Sequence, residues 1–296
     1  MGDHRRTPVR RIQHFGPRDA QRLQAVECRL SHAALSLPGD ADLLGALAGA
    51  VAGHGVRSAV CTLRGGTFSR LGFVMPALSR DAEHAVYYSE RHLPAVPVAL
   101  ASATVTVGLR EGRPWFHCHG VWRDAGGRRL AGHVLPDQAR IAEPIAASLW
   151  LVHGADYVVG RDAETRFDLF QPVAHGAATG HGGAAFALQV RPNEDICQAL
   201  EAQCAARGIA HARVRGGVGS LVGAVFDDGR TVEPFVTEVL VHDGRLAPGD
   251  DGAPRAALDA SVVDHTGGLA HGRLARGCNP VLVTFELVVE PVAADA

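Results

Sequence analysis

Three histidines carry the clearest chemical potential in this sequence. His117-Cys118-His119 falls in an apolar run, and Gly132-His133 follows a turn signal, Asp124-Ala125-Gly126-Gly127. Side chains on a β-strand alternate faces, so His117 and His119 share one side and Cys118 takes the other. A hairpin centred on Gly126 sets His133 directly opposite His119 on the same face, with Cβ atoms about 5 Å apart. Three imidazoles converging on one point form a facial metal-ligand set with coordination positions left open. Imidazole suits Zn, Cu, Fe or Ni, and zinc is the first expectation. Binding requires neutral rings, so affinity is expected to fall as the pH drops through about 6.5. A hydrogen-bonded histidine cluster without metal is the structural alternative.

The elements that must position this cluster occur twice. Cys28–Leu37 alternates as a strand, Pro38-Gly39-Asp40 turns the chain, and Leu43, Leu44, Leu47 and Val51 follow at helical spacing until Gly55. Val56–Leu63 then reads as a strand ending at Gly65-Gly66. A shift of 153 positions brings Asp42 onto Asp195, Leu43 onto Ile196, Leu47 onto Leu200 and Gly55 onto Gly208. Such a shared strand, capped helix, strand and glycine order is the mark of an internal duplication. The hairpin has its counterpart at Ala257–Leu274, where Ala257, Asp259 and Arg273 take the places of His117, His119 and His133. Ala257 offers no ligand atom and Arg273 no lone pair. The second copy is therefore expected to be metal-free, with Asp259 and Arg273 facing each other as an ion pair.

This reading divides the chain into a basic N-terminal arm (1–27), a first unit with the histidine cluster (28–172), a Gly/Ala-rich linker (173–184), a second unit (185–290) and a short tail (291–296). Each unit is expected to be one helix among seven or so short strands, an α+β design. The arm reads as solvated, with phosphate contact as its functional alternative. The loop Gly216-Gly217-Val218-Gly219-Ser220 resembles a phosphate loop, but it opens no helix and lacks a following Gly-Lys-Ser/Thr, so a tight turn is expected. Tyr87-Tyr88-Ser89-Glu90-Arg91-His92 is a pocket candidate without further support.

Composition narrows the function classes. The 296 residues are 47% hydrophobic with a formal net charge of −2, which argues against binding nucleic acid through global charge. Every basic residue other than histidine is arginine, a bias expected of a GC-rich bacterial genome. No apolar run reaches the roughly 18 residues of a membrane span, and the basic N-terminus lacks an apolar segment typical of a signal peptide. Six scattered cysteines without a CxxC pair suit reduced thiols, so a cytoplasmic location is expected.

The segment His117-Cys118-His119-Gly120, Asp124, Gly127-Arg128 and Gly132-His133-Val134-Leu135 resembles the signature hairpin of the plant-and-prokaryote-conserved (PPC) domain. The strand, turn and Leu-rich helix over 29–55 and the Gly66 turn fit as well. Both copies look like PPC domains of the bacterial type without an AT-hook. Ala131 replaces the first glycine of the family's Gly-Gly-His, and the second copy lacks all three histidines. The resemblance implies two tandem copies of a bent antiparallel sheet with one packed helix, usually assembled as a trimer, so a homo-oligomer is expected. The histidine set also resembles the metal site of acetolactate decarboxylase and related zinc enzymes. Two functions follow. The first is an oligomeric metal-binding protein whose second copy is structural or partner-binding. The second is a zinc-dependent lyase or hydrolase of small oxo or hydroxy acids or esters, with a carboxylate such as Glu143 or a nearby arginine, Arg123 or Arg129, beside the metal and no catalytic role assigned to any of them. A DNA-associated role is a third reading, weakened by the net charge.

Overall fold

The computed structural model describes residues 10–176 and 184–294. The first unit comprises β1 (Leu23–Leu37), α1 (Leu43–Gly53), β2 (Ser58–Arg64), β3 (Thr67–Val74), β4 (Pro76–Leu78), β5 (Val86–Tyr88), β6 (Val98–Arg110), β7 (Arg113–Arg123), β8 (Arg129–Glu143), β9 (Ile145–His153), β10 (Ala155–Arg161) and β11 (Asp168–Ala174). The second comprises β12 (Ala184–Val190), α2 (Ile196–Ala206), β13 (Ala212–Val225), β14 (Thr231–Pro248), β15 (Pro254–Asp264), β16 (Leu269–Arg273) and β17 (Val281–Pro291). The protein is thus mostly β with two helices. Several strands reach 13 to 18 residues, longer than the short strands expected of each unit.

The duplication is visible in the topology. The second unit runs β12-β17-β13-β14-β15-β16, and the first runs β1-β9-β2-β6-β7-β8 through the same kinds of antiparallel neighbour. Each helix starts where an aspartate accepts from the backbone three residues on: Gly45 N to Asp42 at 2.6 Å and Gln198 N to Asp195 at 2.9 Å. Each stops at a glycine with positive φ, Gly55 and Gly208. The buried faces, Leu43, Leu47 and Val51 in α1 and Ile196, Leu200 and Cys204 in α2, close two separate apolar cores. Trp122 lies at the heart of the first, edge-on to Phe73 at 4.8 Å.

The two caps are not equivalent. Asp195 also accepts from the backbone N of fully buried Asn279 at 2.8 Å, whereas Asp42 serves its helix alone. Asp42→Ala is expected to cost about 1 kcal/mol. Asp195→Ala is expected to cost about 2–4 kcal/mol, because a buried N–H also loses its acceptor. Urea melts of the two variants check this, and equal destabilisation would contradict the assignment.

The units join edge to edge and face to face. The N-terminal half of β1, Leu23–Arg29, pairs antiparallel with β12, making one continuous 15-stranded sheet. That sheet folds over so that β13 and β14 pack across β2, β6 and β7. Thr104 donates to the Val241 carbonyl at 3.0 Å, and Tyr157 OH donates to the Leu287 carbonyl at 2.6 Å. Val60, Val152, Tyr157, Phe170, Ala187 and Val288 fill the seam. Gly216 and Gly217 sit there with φ of +69° and +114°, and a Cβ on Gly216 would come within 2.7 Å of the Val60 side chain. The expected tight turn is therefore a bulge inside the continuous strand β13, forced by the close approach of the facing sheet.

The arm expected over 1–27 is largely built into the fold where it is described, residues 1–9 lying outside the described residues. Ile12 exchanges two 2.8 Å hydrogen bonds with Asn193, buried His14 meets the Leu282 carbonyl at 2.7 Å, and strand β1 begins at Leu23. Arg22 is held by Glu164 and Glu194 rather than solvated. Of the expected linker, 177–183 lie outside the described residues, while strand pairing persists to Ala174 and resumes at Ala184.

Candidate metal centre

Strand alternation and the Gly126-Gly127 turn bring His117, His119 and His133 together. His119 pairs with His133 in the β7–β8 register, and the three rings lie with centroids 4.6 to 5.3 Å apart. His117 Nε2 is 3.0 Å from His119 Nε2, which is 3.3 Å from His133 Nδ1. Nitrogens on a tetrahedral ion with bonds of about 2.0–2.1 Å stand about 3.3 Å apart, so this spacing is already that of a shared ligand sphere.

The second unit supplies the fourth donor. Glu238 on β14 reaches across the seam and contacts His119 Nε2 directly. One ligand atom from each of His117, His119, His133 and Glu238 lies within 4.8 Å of every other, a group that can hold a metal ion. The rear of the cluster is also organised. His119 Nδ1 donates to the Val239 carbonyl at 2.8 Å, and His117 Nδ1 lies 3.0 Å from Glu286 Oε2 on β17. Those contacts fix ring orientation and turn both Nε2 atoms inward, the outer-shell arrangement that metal-binding histidines use.

Electrostatics describe the cluster without an ion. Burial, and then the neighbouring His119, push His117 down to about 3. Burial likewise holds His133 well below its ordinary value. Burial opposes charge on His119 too, but the charge and hydrogen bond of Glu238, with the Val239 carbonyl, outweigh it and raise the ring. Burial pushes Glu238 up, but His119 outweighs this and the net shift is downward. Burial thus favours His117 and His133 as neutral lone-pair donors, while His119 and Glu238 favour each other's charge. Burial raises Glu286 well above the usual carboxylate range.

The cluster forms the floor of a cavity of ≈ 380 Å³ between the units. Tyr88, Trp115, Phe167 and Phe170 wall it, with Tyr88 5.2 Å from His133, so the Tyr87-Tyr88 segment does line a pocket. None of Glu143, Arg123 or Arg129 lines it. Glu143 is paired with Thr67 at the far end of β8, and Arg123 pairs with Arg129 beside the β7–β8 turn, donating to the Gly127 carbonyl. The carboxylates at the cluster are instead Glu238 and Glu286. A signal for them exists: each is a lone acid within an apolar strand, Phe235–Leu240 and Val281–Val289, and an acid buried in such a run needs a partner. Which partner depended on the fold between units.

In the second unit Asp259 and Arg273 face each other in the β15–β16 register. Two hydrogen bonds of 3.1 and 2.9 Å join them, as their alignment with His119 and His133 implies.

Comparison with known families agrees with this architecture. Residues 177–293 match the model of the Plants and Prokaryotes Conserved (PCC) domain. The second unit thus carries the PCC-domain match. The match covers the unit without the three-histidine cluster, and the first unit repeats its strand order and capped helix. No curated protein matches the chain. Among solved structures, a plant- and prokaryote-conserved protein of Pyrococcus horikoshii is similar at 17% identity, with a TM-score of 0.41. That likeness covers 50% of this chain and 96% of that one. A metal-containing protein of Archaeoglobus fulgidus is similar at 16% identity and a TM-score of 0.39, covering 47% of this chain and 92% of that one. No helix among the described residues is long and apolar enough to cross a membrane.

Proposed function

We propose that this protein binds one divalent metal ion per chain, zinc first, through His117, His119, His133 and Glu238, at the floor of a cavity open to small molecules. The observation that carries the reading is the convergence of three imidazole nitrogens and one carboxylate from two units on a single point. Apolar packing alone would not favour burying those groups together. When bound, the ion would polarise an oxygen donor entering the cavity. The second unit then has a double part: it keeps no ligand set of its own and completes the first unit's. Location in the cytoplasm and assembly as a homo-oligomer, a trimer first, belong to the same reading and are checked by fractionation and solution mass.

A metal-dependent lyase or hydrolase is the second reading. Glu286 favours it, as a buried carboxyl lining the cavity beside a ligand histidine. The sequence alone offered no acid in that place.

Metal analysis of the purified protein is the direct test. About one ion per chain is expected, falling below a tenth of that in Glu238→Ala. Two ions per chain would contradict the ligand-free second unit, and none after incubation with zinc would remove the proposal.

A further inference from the structure

The cavity is charged unevenly. Its lining holds three arginines, Arg110, Arg161 and Arg166, and three acidic residues, Asp168, Glu238 and Glu286. The two glutamates lie on the floor beside the histidines. The three arginines and Asp168 are grouped at the other end, where Arg110, Arg161 and Asp168 are each 40% exposed or more. Arg110 and Arg161 share Asp168, at 3.1 and 3.6 Å. Arg166 has no acidic partner among the described residues. Three guanidiniums against one carboxylate leave two positive charges at the mouth.

The turn that carries Arg166 is elaborately held. Asp162 accepts from Thr165 N at 2.7 Å and Thr165 Oγ1 at 2.8 Å, Arg166 N donates to the Asp162 carbonyl at 2.9 Å, and His84 donates to the Arg166 carbonyl at 3.1 Å. Arg166 itself has a φ of +62°, a conformation that costs a side chain other than glycine or asparagine about 1 kcal/mol or more. The turn joins β10 and β11, which pair with each other along their length. A strained backbone, a turn held by four hydrogen bonds and a cation without an acidic partner among the described residues thus coincide on one cavity.

We propose that the cavity takes a small organic anion, its acidic group paired with Arg166 and Arg161 at the mouth and its body between Tyr88, Trp115 and Phe167, with the far end at the metal position. The volume suits a ligand of this kind rather than a polymer, and a guanidinium fork matches both carboxylate and phosphate. The proposal uses the metal reading only for the floor; the arginine mouth stands without it.

Calorimetry on the zinc-incubated full chain tests this with benzoate, phenyl phosphate and neutral benzyl alcohol as probes, metal content being measured on every sample. At least one anion is expected to bind tenfold or more tighter than benzyl alcohol, and the better of the two identifies the acidic group. Arg166→Asn, which tolerates the left-handed backbone, is expected to lose about tenfold in that affinity at unchanged metal content and melting temperature; Arg161→Gln provides a second reading of the same loss. Equal binding of all three probes, or anion binding untouched by both substitutions, would overturn the proposal. A metal-free protein that still selects the anion through Arg166 would sink the metal reading and leave this one standing.

Discussion

His119→Ala is expected to empty the metal centre while the fold persists. His119 is the hub of the group: its Nε2 meets His117, His133 and Glu238, and its Nδ1 is anchored on Val239. Deleting it removes one of four donors and leaves Glu238 buried without its nearest partner. Loss of an outer-shell partner alone costs roughly 10–100-fold in metal affinity, so losing this ligand is expected to exceed that and bring bound zinc below detection after dialysis. Glu286→Gln, which leaves all four donors in place, is expected to keep about one ion per chain with affinity reduced by about tenfold. Metal analysis and competitive chelation read both, and retention of zinc by His119→Ala would contradict the assignment. The pH dependence has a definite sign. The ion needs His119 unprotonated, and Glu238 raises that ring. Affinity is thus full above the raised value and declines as the pH falls through it.

The histidine hairpin was legible in the sequence because every step was local. Period-two alternation sets His117 and His119 on one face, and a glycine turn fixes the register that brings in His133. The repeat was legible for a similar reason, since Asp42 and Asp195 cap helices that stop at Gly55 and Gly208. Glu238 was not legible as a ligand, because its partner is set by how one folded unit lies on the other, more than 100 residues away in sequence. The same holds for Gly216 and Gly217. Their composition spoke for a turn, and only the approach of Val60 from the facing sheet makes them a bulge. Arg166 stood in an ordinary polar stretch whose left-handed backbone no short motif announced. The arm failed differently: a run of arginines reads as solvated until Glu164 and Glu194 supply acids for Arg22.

The turn that presents Arg166 is also where the largest loss of stability is expected. Asp162 is 2% exposed and Arg191 7%, and their charged groups pair directly, with Asp19 3.0 Å from the same guanidinium. Breaking a buried pair by removing one partner costs about 3–5 kcal/mol, because the other charge stays buried. Asp162 also satisfies the backbone and hydroxyl of Thr165, so Asp162→Ala is expected at the upper end of that range, a fall in melting temperature of roughly 10 °C. Asp19 keeps part of Arg191 satisfied, so Asp162→Asn, which retains an acceptor, is expected to lose less. The pH sign follows from the depressed carboxyl: burial opposes its charge, but Thr165 and Arg191 more than compensate. Its stabilisation is complete above the ordinary aspartate range and lost as the pH falls through the lowered value. Thermal melts from pH 7 into the acid range should therefore show a narrowing gap between wild type and Asp162→Ala, and a constant gap would show that the turn, not the charge, carries the effect. Because the same aspartate shapes the backbone of Arg166, Asp162→Ala is also expected to weaken anion binding at the mouth while leaving the four-donor floor, and the metal it holds, in place.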